Sequence, residues 1–141
     1  MVSSLKKIGV DLEYQDRHIH DVESLAQSVF TNEELAELGK YPADKRLIPF
    51  LSGWTRKEAY LKGVGKGLAL PLKSFSVQLD GLEKSPSISI PDWQLHSFWS
   101  AADYPSAVAF PKSDPPPEIR YFLDRSSHNR TVIYSNDKYN D

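Results

Sequence analysis

The first apolar run of the chain alternates. Ile8, Val10 and Leu12 interleave with Gly9, Asp11 and Glu13, the period of a β-strand, so residues 6–13 predict a first strand. A polar connection over His18–Asp21 follows, and Val22–Phe30 predicts a short amphipathic helix. Thr31-Asn32-Glu33-Glu34 then opens a second helix with a capping-box pattern, a threonine followed three residues later by glutamate. Gly39 is expected to stop that helix, and Pro42 suits the first turn of the next. Leu47, Phe50, Leu51, Trp54 and Leu61 keep near-helical spacing, so the third helix is expected over 42–64. Pro49 lies inside that span and predicts a kink or a split. Gly63, Gly65 and Gly67 are expected to end the helix.

Beyond the glycines the period changes to two. Phe75–Leu79 and Ser87–Ile90 alternate around Asp80-Gly81, which predicts a hairpin. Gln94–Ser100 and Ala107–Phe110 are two more strand candidates, and Pro115-Pro116-Pro117 is a stiff spacer before a last one at Ile119–Leu123. From Asp124 the chain is polar apart from Val132-Ile133-Tyr134, so residues 124–141 are expected to form a disordered tail. The predicted architecture is α+β, with helices packed on a mainly antiparallel sheet over residues 1–123.

Composition narrows the class. A chain of 141 residues has room for one modest core, and 40% hydrophobic with 26% charged residues is ordinary for a globular domain. No apolar run approaches a membrane span, and Met1–Lys7 has no signal-peptide core behind it, so no membrane association is expected and the cytoplasm is the expected compartment. The absence of cysteine excludes disulfides, thiolate metal sites and a cysteine nucleophile. A net charge of −2 gives no support for nucleic-acid binding.

The candidate chemistry lies in two segments. Asp11 and Glu13, two apart in a strand, project from one face. Glu58 and Lys62, four apart in a helix, stand one turn above each other. Three acids and an amine from two elements suit a hard cation carrying an anion, as magnesium sits in phosphate chemistry. Blander readings stand beside this one. Asp11 and Glu13 also fit exposed acids on an edge strand, and Glu58 fits an ion pair to Lys62. Arg56, Lys57, Lys62 and Lys66 face the single anion Glu58 within one stretch, and Arg56 and Lys66 fit a solvated helix face equally well. Trp54 reads as a packing residue. His18 and His20 lack a third ligand for zinc, and His96 and His128 have no partner visible in sequence. The glycines around Lys66 fit a helix cap, and there is no Walker-type loop or dinucleotide fingerprint.

Gly9-Val10-Asp11-Leu12-Glu13 and Trp54-Thr55-Arg56-Lys57-Glu58-Ala59-Tyr60-Leu61-Lys62 together resemble the two signature motifs of the 4′-phosphopantetheinyl transferases. Gly65–Leu72 and Ser74–Val77 resemble the glycine loop and strand that follow in the long, surfactin-synthetase-activating branch, and the resemblance covers residues 8–123. It implies a single half-domain of that fold. It also implies transfer of the 4′-phosphopantetheine arm of coenzyme A to a serine of an acyl or peptidyl carrier protein. Asp11, Glu13 and Glu58 would hold magnesium, or manganese in its place. Lys57, Lys62 and Lys66 would meet coenzyme phosphates. Glu58, Lys62 and Glu34 would act in the chemistry, with Glu58, Glu34 or a water at the metal taking the hydroxyl proton. For Glu34 the helix cap is the competing reading.

Long-branch relatives have two similar halves, and this chain starts just before the first strand of the second. The first half is therefore expected to be absent. The short branch, the holo-acyl-carrier-protein synthases, has one half per chain and builds its sites between subunits. The expectation is a homo-oligomer or a half completed by another chain. The alternative is a catalytically incomplete half that binds a carrier protein or partner without turnover.

Overall fold

The structure is a computed structural model that describes residues 7–14, 21–65, 70–79, 87–101, 104–113, 117–124 and 129–135. Lys66, Gly67, His18, His20, His128, Asp80-Gly81 and residues 136–141 of the expected tail lie outside these.

Four strands form an antiparallel sheet in the order β1 (Gly9–Leu12), β4 (Tyr104–Pro111), β3 (Trp93–Ala101), β2 (Ser87–Ile90). Asp11 pairs with Ala107 in the register of β1 against β4, and the Glu13 amide extends the pairing by donating to the Pro105 carbonyl at 3.0 Å. One sheet face carries Leu95, Ala107 and Ala109 into the main core, where they meet Phe30, Phe50, Leu51 and Ala59 from the helices. On the opposite face Phe98, Val108 and Phe110 cluster with Ile8, Val10 and Ile119. Both faces of this sheet therefore carry packed apolar side chains.

Of the three helices among the described residues, α3 (Leu47–Val64) lies on the first face against β1, β3 and β4, α1 (Val22–Val29) packs against α3, and α2 (Asn32–Gly39) is tied to α3 by the Glu34–Lys57 pair. The capping box of α2 is complete. The Thr31 hydroxyl accepts from the Glu34 amide, and the Glu34 carboxylate accepts from the Thr31 amide at 2.8 Å. The helix expected over 42–64 instead begins as a 3-10 turn at Ala43–Lys45, and α3 starts at Leu47. Pro49 therefore falls in the first turn of α3, where its missing N–H has no intrahelical partner to lose, and the span expected as one helix is split just ahead of it, at Arg46, while α3 itself runs on unbroken.

Gly63 is likewise not a stop. It lies inside α3 where β1 crosses, and a Cβ on Gly9 would stand 1.9 Å from the Ala59 carbonyl oxygen and 2.3 Å from the Gly63 nitrogen. Two glycines let strand and helix backbones touch. The helix ends at Gly65, which takes the left-handed conformation at φ +72° and donates to the Leu61 carbonyl.

The expected hairpin is replaced by another. Phe75–Leu79 carries no strand, and β2 pairs with β3 through a tight turn at Pro91-Asp92, with Asp92 at φ +63°. The segment 72–79 instead runs over α2 and α3, and their side chains satisfy its backbone. Val77 and Leu79 amides donate to Glu34 and Glu37, and the Gln78 carbonyl accepts from Arg56. Within the span of the expected tail, β6 (Asn129–Ser135) pairs antiparallel with β5 (Glu118–Asp124) in a separate two-stranded sheet. The apolar triplet Val132-Ile133-Tyr134 lies in that strand.

Candidate active site

Trp54, Glu58 and Lys62 recur every four residues, so they form one stripe along α3. The Gly9–Gly63 crossing sets β1 against the end of this helix, and Asp11 and Glu13 share the strand face that Gly9 presents to it. Two contacts join the elements. The Trp54 indole donates to Glu13 Oε1 at 3.0 Å, and the Lys62 ammonium donates to Asp11 Oδ1 at 2.6 Å. Trp54, expected to pack, does stack on Phe50, with ring centroids 6.4 Å apart, and its polar edge also orients a candidate ligand. The four-residue spacing from Glu58 was the signal that should have revealed this.

The ammonium of Lys62 thus reaches Asp11 on the neighbouring strand, where an i, i+4 pair with Glu58 was the bland expectation. The partners differ sharply in exposure, 53% for the Lys62 side chain against 8% for Asp11. Asp11 Oδ2 is buried without a hydrogen-bond partner. The Asp11 carboxyl is pushed up to about 6 in all: burial raises it most, Lys62 offsets part of that rise, and the charges of Glu13 and Glu58 add to it. Lys62 also belongs to a cleft of about 480 Å³ beside the pair, lined by Glu58, Leu61, Lys62 and Gly65 on one side and Leu70, Pro71 and Leu72 on the other.

These facts bear directly on a metal. Among the described residues no three acidic or imidazole side chains stand close enough to enclose an ion, so Asp11, Glu13 and Glu58 are not an assembled ligand set in this arrangement. The donor chemistry nonetheless fits a hard cation. A buried carboxylate oxygen lacks a partner, two more carboxylates act on its charge, and a lysine ammonium already stands on its other oxygen.

Two sequence candidates lie elsewhere. Lys57 is fully buried, with its Nζ 2.9 Å from Glu34 and donating to the carbonyls of Leu72 at 2.5 Å and Phe75 at 2.6 Å. Burial lowers its basicity, and Glu34 offsets part of that loss. All three ammonium protons are engaged, so Lys57 presents none to a coenzyme phosphate, which corrects that expectation. Glu34, 1% exposed, accepts from the Thr31 and Val77 amides and pairs with Lys57, so it is a cap and an anchor with no open access to a substrate hydroxyl. Arg56 is no solvated cation either. It is fully buried, with Nε donating to Ser97 Oγ at 2.7 Å. His96 stacks on Phe98, on the sheet face away from α3.

The arrangement has relatives. The sequence model of the 4′-phosphopantetheinyl transferase superfamily matches residues 7–109. The 4′-phosphopantetheinyl transferase HetI of a Nostoc species is 37% identical over 94 residues, 67% of this chain and 39% of that protein. The 4′-phosphopantetheinyl transferase Sfp of Bacillus subtilis is 37% identical over 87 residues, 60% of this chain and 36% of that protein. A further 4′-phosphopantetheinyl transferase of Bacillus subtilis, ffp, is 32% identical over 118 residues, 79% of this chain and 50% of that protein. The chain thus spans between about a third and a half of the length of these curated relatives. No helix among the described residues is long and apolar enough to cross a membrane. A family match that opens ahead of β1 and closes within β4 encloses the crossing of β1 on α3 and every residue that it brings together, and by that match the chain belongs to the 4′-phosphopantetheinyl transferase superfamily.

Proposed function

We propose that this chain transfers the 4′-phosphopantetheine arm of coenzyme A to a serine of an acyl or peptidyl carrier protein, with magnesium, or manganese in its place, held by Asp11, Glu13 and Glu58. The observation that carries this reading is the unpartnered, buried Oδ2 of Asp11 beside an exposed lysine at the mouth of a cleft. A bound divalent cation would supply charge neutralisation for the pyrophosphate oxygens as the serine oxygen bonds to the β-phosphorus and the bridging P–O bond breaks. Adenosine 3′,5′-bisphosphate then leaves.

The residues of the chain divide the remaining work. Lys62, more than half exposed, turns from Asp11 toward a phosphate oxygen and adds a fixed positive charge there. Trp54 holds Glu13 in orientation. Glu58 borders the cleft and takes the serine proton in this reading, because Glu34 is occupied by Lys57. Leu70, Pro71 and Leu72 offer an apolar wall to the arm. Lys66 keeps its expected role at a coenzyme phosphate as part of the same reading. The cytoplasm, where coenzyme A and apo carrier proteins meet, is the proposed compartment.

A second reading has its own support in Lys57, whose ammonium is engaged within the fold by Glu34 and two carbonyls. In it, the half-domain binds a carrier protein or a partner chain without turnover. A homo-oligomer, or pairing with another chain, is the assembly proposed with the first reading. A mass-shift assay separates the two: purified chain, coenzyme A, magnesium and an apo carrier protein. Appearance of the phosphopantetheinylated carrier is expected. Carrier binding without the mass increase would establish the second reading.

A further inference from the structure

The segment Leu72–Leu79 has its backbone satisfied by side chains of two helices. Lys57 of α3 takes the Leu72 and Phe75 carbonyls, Glu34 of α2 takes the Val77 amide, and these two side chains meet at 2.9 Å with no exposure to water. The Lys57 ammonium also lies 4.4 Å from the centroid of the Phe75 ring, which packs edge-on against the Tyr60 ring at 4.7 Å. Leu72, the residue at the start of this network, is at the same time a wall of the cleft opposite Glu58 and Lys62. One buried pair therefore connects the fold to the cleft wall.

We infer that Glu34 and Lys57 are positioning residues: mutually neutralised beneath the segment, they hold Leu72 and Phe75 at a fixed depth and so set the width of the cleft between Leu70–Leu72 and the Glu58–Lys62 edge. The inference rests on the coenzyme reading only for the ligand of the cleft. The physical argument is independent of it. Charge-assisted bonds from one ammonium to two carbonyls and a carboxylate, all out of water, are strong and directional. A segment with no strand partner in this stretch depends on them for its position. The wall they place is leucine and proline, and the opposite edge is charged. The ligand such a cleft takes has an arm with hydrocarbon stretches attached to a phosphate, and the position of the wall decides how well that arm is gripped.

The test uses the full chain and two variants. Glu34→Gln/Lys57→Met removes both charges together, so no unpaired buried charge remains and the fold is retained. Amide hydrogen exchange over residues 71–79 should quicken at least tenfold, while exchange within α3 stays as in the natural protein. With magnesium present, calorimetry should show coenzyme A affinity lowered about tenfold, and that of adenosine 3′,5′-bisphosphate, which lacks the arm, lowered less than threefold. Unchanged exchange over 71–79 overturns the inference, and so does an equal loss for both ligands. If the natural protein binds neither ligand, the coenzyme reading falls, and the exchange result alone decides whether the pair holds the segment. The single variant Glu34→Gln separates positioning from chemistry. Transfer abolished with exchange and coenzyme affinity unchanged would make Glu34 a participant in the reaction and overturn the inference, whereas faster exchange with weaker binding supports it.

Discussion

Two ion pairs tie α3 to its neighbours, and they are built on opposite terms. Glu34–Lys57 has no access to water and every ammonium proton has an acceptor. Asp11–Lys62 joins a buried carboxylate to a half-exposed lysine and leaves one carboxylate oxygen with nothing to accept from. The first pair is closed, and its bonds go to the fold. The second is open: Asp11 Oδ2 keeps a free acceptor site, the charges of Glu13 and Glu58 act on the carboxyl, and Lys62 lines the cleft. Both lysines belong to the same motif, five residues apart, so residue type alone does not separate structure from chemistry. Satisfaction of the polar atoms does.

The comparison is broken most severely from the closed side. Lys57→Ala leaves the Glu34 carboxylate buried without its cation and two carbonyls without a donor, and should cost about 3–5 kcal/mol. Urea unfolding should show this as a large fall in midpoint, and a loss below about 1 kcal/mol would mean that the pair is not closed as described. Gly9→Ala attacks the crossing that builds the open pair. Its methyl group would meet backbone that cannot yield cheaply, so about 3 kcal/mol or more should be lost, with Asp11 displaced from Lys62. Thermal melts together with the loss of the Trp54–Glu13 contact, read by tryptophan fluorescence, check it.

The open pair is sharpened by pH. The Asp11 carboxyl is raised from 3.8 to about 6, so the folded chain binds more protons than the unfolded one between those values. The favourable contribution of the protonated form is complete below about pH 4 and is lost as pH rises through about 6. Asp11→Asn should therefore match the natural protein near pH 4 and exceed it by roughly 2–3 kcal/mol at pH 8. Magnesium should narrow that gap at pH 8 by binding only the carboxylate form, and unfolding midpoints across the pH range with and without the ion measure both effects. A natural protein that gains stability between pH 4 and 8, relative to Asp11→Asn, would contradict the burial argument.

The smallest stability effects belong to the exposed edge. Lys62→Ala should cost about 1–2 kcal/mol at pH 8, well below Lys57→Ala, because the exposed lysine itself loses little but the buried Asp11 carboxylate loses its cation. Glu58→Gln should change stability by less than about 0.5 kcal/mol. Magnesium-dependent coenzyme binding should nevertheless fall about tenfold or more in each, as calorimetry would show. Should Glu58→Gln unfold the chain while binding persists in what remains folded, Glu58 is structural.

Features contained within a few consecutive residues were legible in advance. The capping box at Thr31 and Glu34, the common face of Asp11 and Glu13, and the left-handed stop at Gly65 follow from local geometry, and each is found. What failed depended on distant partners. Phe75–Leu79 alternates like a strand, yet Glu34, Glu37, Lys57 and Arg56 supply its hydrogen bonds, and no periodicity reveals that. Gly63 reads as punctuation until β1 is seen crossing it.

The sequence by itself determined the α+β class, the helices and most strands, the family, and the candidate residues Asp11, Glu13, Glu58 and Lys62, because periodicity and motif spacing act along the chain. Only the tertiary structure decided which lysine is sealed and which is open, that Trp54 steadies Glu13, and that Glu34 anchors a cleft wall. Those outcomes depend on burial and on partners tens of residues away, and the cost of an unsatisfied polar atom is set where the chain folds back on itself.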